Sequence, residues 1–446
     1  MRLKSAALFT LATVFTLCVR AQEVKFVEYD LPNGLHVILH EDHTAPVVAV
    51  TVFYHVGSKN EELNRTGFAH FFEHLLFEGT DNIKRGDWSK IVSGNGGQNN
   101  ATTSQDRTFY YEVFPSNQLQ LGLWMESERM LHPVINETGV ETQNEVVKEE
   151  KRQRMDNQPY GRVIDDIFKR LFKSHPYKWQ PIGSMEDLDA AKLDEFKAFF
   201  KKYYVPNNAV LSIAGDLNIE QTKKWIASYF GDIPKGAPVV QPAVAEAPIT
   251  QEIVDTAYDA NIQIPALVTA YRIPGMASED SKVLELISNY LSTGASSKLY
   301  KKMVDDKKTA LQVGAFNFAL EDYGTYIAFA LPNNNASLPG LLTDIDEEIT
   351  KLQTDLISEA DYQKLMNQYE NDFVEANSRM MGVAGNLAEG YVFYKNTNHV
   401  NEQLKEYKKI TREQVREVAR KYLNKNQRLV LYYLPDTNKP ADQKAF

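Results

Sequence analysis

The sequence predicts an α+β protein of two homologous domains, each a mostly antiparallel sheet flanked by helices. Three observations predict this fold. The length of 446 residues is more than one ordinary core accommodates. Segments with strand and helix character alternate along the chain, interrupted once by a proline-rich stretch without periodicity. The order of elements before that stretch recurs after it, which is typical of a duplicated unit.

The N-terminal segment differs from the rest of the chain. A short basic start is followed by an uncharged apolar run and by Val19-Arg20-Ala21, with small residues at the usual cleavage spacing. Residues 1–21 therefore predict a secretory signal peptide and export across the inner membrane, to the periplasm of a Gram-negative bacterium. An uncleaved anchor and lipidation at Cys18 are the alternatives. No later segment is long enough to span a bilayer, so no stable membrane insertion is expected.

The composition excludes several classes of function. Hydrophobic residues make up 43% of the chain and charged residues 24%, as in soluble globular proteins. Cys18 is the single cysteine, so a mature chain has no disulfide and no thiol nucleophile. The formal net charge is -10 and no basic clusters occur, so a nucleic-acid partner is not expected.

The predicted first domain spans residues 22–235. Its elements are a hairpin within Val24–Leu39, a strand at Val47–His55, a strand pair in Asn99–Phe114, helices at Leu119–Met130, Glu137–Arg154 and Leu193–Tyr203, and a strand at Ala209–Ala214.

Residues 236–250 contain three prolines and are predicted to be a linker. The second domain is then residues 251–446. Its predicted elements are strands at Ile262–Tyr271, Thr325–Leu331 and Arg428–Leu434, and helices at Ser281–Leu291 and Arg412–Lys421.

The segment GFAHFFEHLLFEGT, residues 67–80, is the strongest chemical signal. His70 and His74 lie four residues apart, so on a helix both side chains reach one metal ion. Glu73 lies on the same face, close enough to a metal-bound water to act as its general base. The alternative is a pair of hydrogen-bonded core histidines with a capping glutamate. The surrounding apolar residues favour a catalytic zinc site.

A catalytic zinc needs a third protein ligand, and the helix around residues 143–150 is its best source. Glu150 is predicted to lie over Val146 and Val147 on the apolar face of that helix. Glu145 and Glu149 are predicted on the solvated side. Glu150 is therefore the expected third ligand, with Glu149 as the alternative.

The segment Gly97–Tyr111 is predicted to contain an edge strand beside this site. A peptide could add to such an edge as a further strand, held by backbone hydrogen bonds. The predicted substrate-binding residues are Asn100, Ala101 and Thr102. An ordinary core hairpin is the alternative.

The inverted H-x-x-E-H order, the following LLFEGT and the stretch NEVVKEEKRQR resemble the pitrilysin/insulinase family of zinc metallopeptidases, the inverzincins. The segments PNGL, GNGGQNNATTSQDRTFYY and PNNAVLSIAGD are similar to family signatures too. The resemblance covers essentially the whole mature chain. It is greatest to the short bacterial members and to the mitochondrial processing peptidase subunits.

The resemblance implies one Zn²⁺ per chain on His70, His74 and Glu150, Glu73 as general base, and unfolded peptides as substrates. It also implies that two such chains pair around a chamber. Matching Gly79 with Gly294 places Glu285, Ser288 and Asn289 where the first domain has its motif, so the second domain is expected to lack a metal site.

One departure from the family concerns the partner. Many relatives carry an Arg and a Tyr seven residues apart that hold the substrate and polarise its carbonyl. Val304 and Leu311 occupy those positions here, and neither side chain donates a hydrogen bond.

The expectation is a zinc-bearing subunit of a heterodimer, whose homologous partner supplies the Arg/Tyr pair; a homodimer is the alternative. A shifted alignment, with Lys302, Lys307 or Tyr323 in these roles, is a further alternative. The rival function is a non-catalytic scaffold or assembly subunit of the same fold.

Overall fold

The computed structural model describes residues 23–334 and 336–439. They form two sheets with helices packed on their faces. The predicted signal peptide, residues 1–21, lies outside the described residues. Within the described part of the chain, no helix is both long enough and apolar enough to cross a membrane.

The first sheet has six strands in the order β1-β2-β6-β3-β5-β4. The strands are β1 (Val27–Asp30), β2 (His36–Glu41), β3 (Val47–Tyr54), β4 (Gln98–Thr103), β5 (Thr108–Pro115) and β6 (Ala209–Gly215). Only β2 and β6 pair in parallel, and the other neighbours are antiparallel. The predicted edge strand is confirmed, because β4 pairs with β5 alone.

Eight helices of the described chain accompany this sheet in sequence. They are α1 (Phe68–Leu75), α2 (Trp88–Gly94), α3 (Leu119–Leu131), α4 (Glu137–Lys151), α5 (Val163–Leu171), α6 (Met185–Ala190), α7 (Leu193–Tyr203) and α8 (Ile219–Phe230). Alternate residues of β3, including Val48 and Val50, face a core that contains Phe71 and Phe72 of α1. The first sheet therefore packs against the buried face of α1.

The second sheet has five strands in the order β7-β11-β8-β10-β9. The strands are β7 (Ile253–Asp259), β8 (Ala266–Pro274), β9 (Ala310–Ala319), β10 (Tyr323–Pro332) and β11 (Arg428–Pro435). The helices are α9 (Glu279–Ser292), α10 (Leu338–Thr354), α11 (Glu359–Ala376), α12 (Met380–Tyr394), α13 (His399–Tyr407) and α14 (Arg412–Tyr422). The strand order matches that of the first sheet without β1, as expected for a duplicated unit.

Two helices pack on the sheet of the other half. Phe168 and Leu171 of α5 join the apolar cluster on one face of the second sheet. Leu387 and Phe393 of α12 cover Phe53 on the first sheet. The predicted domain boundaries at residues 235 and 251 stay a prediction. A helix from each side of them packs on the sheet of the other side.

A buried lysine also joins the two halves. Lys59, in the loop before α1, lies 3.0 Å from Asp106 in the β4–β5 turn. The same ammonium contacts Glu321 at 2.5 Å and Asp322 at 3.3 Å, both in the β9–β10 turn. The second half is therefore fastened directly to the hairpin that carries the edge strand.

Two predicted elements need correction. The strand predicted at Ile262–Tyr271 is β8, which begins at Ala266, and a separate strand β7 precedes it. The prediction missed β7 because its two aspartates and partial exposure obscure the strand pattern. The helix predicted to Arg154 ends as an α-helix at Lys151 and continues as a π-helical turn, Arg152–Asp156.

Candidate metal centre

Gly67 is the N-cap residue directly before helix α1, and its φ of 96° is a left-handed conformation that suits glycine. Glycine has no side chain to cap the helix, and Glu61 serves instead. Its carboxylate accepts hydrogen bonds from the backbone N–H groups of Gly67 at 2.9 Å and Ala69 at 2.8 Å. Burial raises the pKa of Glu61 well above its ordinary value. The start of the motif helix is thus fixed by a buried acid.

The end of α1 is held by Arg129 of α3. This buried guanidinium donates to the carbonyl of Leu76 at 3.0 Å. It is paired with Glu112 at 3.0 Å and Glu126 at 3.1 Å, both fully buried. A buried acidic partner is needed because an unpaired buried charge is strongly destabilising. Both ends of α1 are therefore fixed, and its histidines are presented at a constant position.

The structure brings together the three residues predicted as metal ligands. Oε2 of Glu150 lies 3.0 Å from Nε2 of His74 and 3.6 Å from Nε2 of His70. One ligand atom from each residue lies within 4.8 Å of the others. Among the described residues this is the only such group of three or more histidines, cysteines or acids.

The donor set and its electrostatics fit a catalytic zinc ion. Two imidazoles and one carboxylate are a ligand set of such sites. Burial, assisted by the neighbouring His74, lowers the pKa of His70 to about 4, so its ring is neutral at neutral pH. Burial opposes ionisation of Glu150, but the hydrogen bond with His74 and nearby positive charges hold its pKa below the usual range. Nδ1 of His70 is buried without a partner among the described residues.

The helix α4 delivers Glu150 to this cluster. Asn136 caps its start by accepting from the N–H of Gly139 at 2.9 Å. Gln143 then donates to Glu78, just beyond α1, at 2.5 Å. These contacts fix α4 against the motif helix, so that Glu150 meets the two histidines.

The structure places Glu150 beside the two histidines, and its role as third ligand stays a prediction. The helical argument that led to it is partly wrong in detail. Val147 is fully buried as predicted, but Val146 is 44% exposed. The apolar face of α4 is therefore narrower than the sequence suggests. Glu149, the alternative, points away and pairs with Arg152 at 2.9 Å.

Glu73 lies on α1 between the two histidines and faces the edge strand. The hydroxyl of Thr103, at the end of β4, donates to its Oε2 at 2.6 Å. Burial raises the pKa of Glu73, partly offset by this hydrogen bond. Sequence reasoning missed Thr103; the two-residue period of a strand would have placed it on the same face as the buried Ala101.

The predicted substrate-binding residues lie on the edge strand next to Glu73. Asn100 and Thr102 are exposed, whereas the side chain of Ala101 is buried. The side-chain oxygen of Asn100 accepts from the N–H of Ala101 at 2.9 Å. Their role in substrate binding stays a prediction.

The second half has no corresponding cluster among its described residues. Glu285 accepts a hydrogen bond from the hydroxyl of Tyr407. Ser288 donates to the carbonyl of Leu284 at 3.0 Å, and Asn289 accepts from Thr293 at 2.9 Å. Each polar residue matched to the motif therefore has a partner within its own half.

Comparisons with known proteins identify the relatives of this chain. The family described as Insulinase (Peptidase family M16) matches residues 36–182, and the Peptidase M16 inactive domain matches residues 190–369. Zinc protease PqqE of Helicobacter pylori is 30% identical over 410 residues, covering 91% of this chain and 92% of that protein. An uncharacterized zinc protease of Bacillus subtilis, YmxG, is 24% identical over 79% of this chain and 85% of its own.

Solved structures show the same fold. The crystal structure of a protease from Helicobacter pylori has a TM-score of 0.87 and 28% identity, over 92% of this chain and 99% of that chain. Pitrilysin has a TM-score of 0.75 at 18% identity, with 94% of this chain matching 46% of the longer protein.

Fold and relatives together define a homologue of zinc proteases. The chain belongs to the pitrilysin/insulinase family, peptidase family M16.

Proposed function

We propose that this chain is a zinc-dependent endopeptidase that hydrolyses unfolded peptides or oligopeptides. One Zn²⁺ per chain is held by His70, His74 and Glu150. The observation that carries the proposal is the convergence of these three side chains within 4.8 Å beside Glu73. Bound zinc lowers the pKa of a coordinated water and so supplies a nucleophile near neutral pH.

Glu73 is the proposed general base. Its carboxylate lies on the same helix face as the histidines, and burial raises its pKa toward the range in which a base accepts and returns a proton. Thr103 donates to Oε2 at 2.6 Å, and no hydrogen bond from a described residue engages the other oxygen, which is proposed to receive the proton. That proton then passes to the amine of the departing peptide.

The substrate is proposed to lie along β4, at Asn100, Ala101 and Thr102. An edge strand offers unpaired backbone groups, so a peptide can pair with it whatever its side chains. Asn100 caps the N–H of Ala101 in the free chain. If that N–H pairs with the peptide, the Asn100 side chain has to swing aside when substrate arrives.

The chain is proposed to act with a homologous partner subunit that supplies the missing Arg/Tyr pair, and a homodimer is the alternative. Leu311 is 51% exposed on β9 and Val304 packs against the second core. Two candidates of a shifted alignment are engaged in ion pairs: Lys302 pairs with Glu347 at 2.7 Å and Lys307 with Asp344 at 2.5 Å. The third, Tyr323, accepts from the N–H of Glu246 at 3.1 Å.

A scaffold or assembly role is the second candidate. The match of residues 190–369 to an inactive domain favours it for the second half. A scaffold role gives no physical reason for the cluster of His70, His74 and Glu150 on α1 and α4. Secretion to the periplasm is proposed from the basic and apolar N-terminal segment.

The test is metal content and peptide cleavage of the wild type and of Glu73→Gln, with a partner lacking the H-x-x-E-H motif present and absent. Glutamine keeps the shape but cannot accept the proton. We expect zinc to remain and cleavage to fall by about 100-fold or more. Cleavage at the wild-type rate by Glu73→Gln would refute the assigned base, and a wild type that binds zinc but never cleaves would favour the scaffold.

A further inference from the structure

The two oxygens of Glu150 have different surroundings. Oε2 faces Nε2 of His74 at 3.0 Å and Nε2 of His70 at 3.6 Å. Oε1 lies 2.7 Å from a guanidinium nitrogen of Arg154. The cluster thus contains a fourth side chain, which neither the motif nor the proposed ligand set includes.

Arg154 lies four residues after Glu150, a spacing that places both side chains on one face of a helix. The α-helix ends at Lys151, directly after Glu150. The next turn is π-helical, and the N–H of Asn157 donates to the carbonyl of Arg152, five residues earlier, at 2.8 Å. Turns of this kind are rare and often occur at functional sites. Here the π-turn contains Arg154, which contacts the proposed metal ligand Glu150.

The other cations of this segment pair away from the cluster. Lys148 contacts Asp189 at 2.5 Å, Lys151 donates to the carbonyl of Gly183 at 2.5 Å, and Arg152 contacts Glu149 at 2.9 Å. Within the part of the chain that the structure describes, Arg154 is the one cation in direct contact with His70, His74 or Glu150.

Exposure decides what this contact contributes. The side chain of Arg154 is 75% exposed and that of Glu150 only 14%. An exposed ion pair adds little to folding stability. The ion pair nevertheless places a positive charge 2.7 Å from Oε1, which favours one orientation of the Glu150 carboxylate. Its consequence is therefore expected at the ligand rather than in the stability of the fold.

We propose that Arg154 is a positioning residue that holds Oε1 of Glu150, so that Oε2 is presented to the metal together with the two histidines. Groups that orient a metal ligand in this way typically change metal affinity by about 10- to 100-fold. A second effect opposes this one, because the guanidinium and the metal are both positive and repel each other. The proposal states that orientation outweighs repulsion. It rests on the proposed zinc site.

The chain offers a matched control for this proposal. Arg152→Ala removes an arginine from the same π-turn that pairs with a glutamate at a similar distance but outside the cluster. Arg154→Lys keeps a positive charge and one donor for Oε1. All variants are made together with Glu73→Gln, which prevents self-digestion.

The experiment measures the zinc dissociation constant by competition with a chromophoric chelator. We expect Arg154→Ala to weaken zinc binding about 10-fold, Arg154→Lys to recover most of the loss, and Arg152→Ala to stay within about twofold of the parent. The melting temperatures of the metal-free variants should agree, and the visible spectrum of the cobalt(II)-loaded protein should change for Arg154→Ala alone.

The alternatives are distinguishable. Unchanged or tighter zinc binding by Arg154→Ala would overturn the positioning role while leaving the zinc site intact. Equal weakening by Arg152→Ala would show a general charge effect and overturn it as well. A parent protein that binds no zinc would overturn the proposed function and this inference together.

Discussion

The two halves of the chain place comparable helices on comparable sheets, but the polar residues on those helices have different partners. In the first half, α1 carries two histidines whose Nε2 atoms converge on the carboxylate of Glu150. In the second half, Glu285 on α9 accepts from Tyr407, and Ser288 and Asn289 also have partners. The three residues compared on α9 therefore have partners among the described residues, whereas the histidines on α1 are the residues proposed to hold a metal ion.

The helix starts differ in the same way. The first is capped by Glu61, an acid from a preceding loop that is almost fully buried, because Gly67 has no side chain of its own. The second is capped by its own Ser278, which accepts from the N–H of Asp280 at 3.3 Å. A buried carboxylate is a costly cap. In the first half, the helix that presents the histidines is therefore fixed by a cap whose burial costs free energy.

The largest difference should appear in metal binding. His74→Ala removes a proposed ligand, so zinc affinity should fall by more than about 100-fold, beyond the loss expected for a residue that only orients a ligand. Asn289→Ala, at the corresponding position of α9, should leave zinc affinity unchanged. Zinc content after dialysis against a chelator measures both variants. Equal affinities would break the comparison.

The helix caps should show a smaller difference. Glu61→Ala leaves two backbone N–H groups of α1 without their acceptor and should lower the free energy of unfolding by about 1–3 kcal/mol for each buried group left unpaired. Ser278→Ala should cost about 1 kcal/mol, as for an ordinary cap. Urea denaturation of both variants gives these values. A smaller loss for Glu61→Ala than for Ser278→Ala would contradict the account of α1.

The pH dependence of stability should show the smallest difference. Burial raises the pKa of Glu61, so the folded state binds this proton more tightly than the unfolded chain. The associated stability is present below the ordinary glutamate pKa of about 4.3 and is lost as pH rises through the raised value.

Glu61→Gln abolishes this titration and preserves one acceptor. Relative to the wild type, its free energy of unfolding should therefore increase as pH rises from about 4 toward neutrality. Denaturation at several pH values measures the difference, and Ser278→Ala should show no such trend. If the free energy of unfolding of Glu61→Gln instead decreases relative to the wild type as pH rises, the pKa of Glu61 is not raised by folding.

Much of this comparison could be predicted from the sequence because its strongest signals are local. The spacing of His70 and His74 requires only a helix, and the β-rich segment after residue 97 requires only a hairpin. The lack of a motif around Glu285 could be read from the alignment of two glycines. Glu150 was reached through helical periodicity, although Val146 shows that the pattern was imperfect.

The rest depends on contacts distant in sequence or on a change of helix geometry. The exchange of α5 and α12 between the sheets leaves no signal in periodicity, because the pattern of apolar residues in a helix does not say which sheet it covers. Lys59 meets Glu321 across 262 residues. The charged sequence does not distinguish the π-helical turn after Lys151 from a continued α-helix.

The most direct test of the central claim is anomalous diffraction at the zinc absorption edge from crystals of the chain grown with zinc. The account predicts one strong peak per chain, between Nε2 of His70, Nε2 of His74 and Oε2 of Glu150, and no peak near Glu285. Zinc bound to other residues, or no peak at this cluster in crystals that contain zinc, would contradict it.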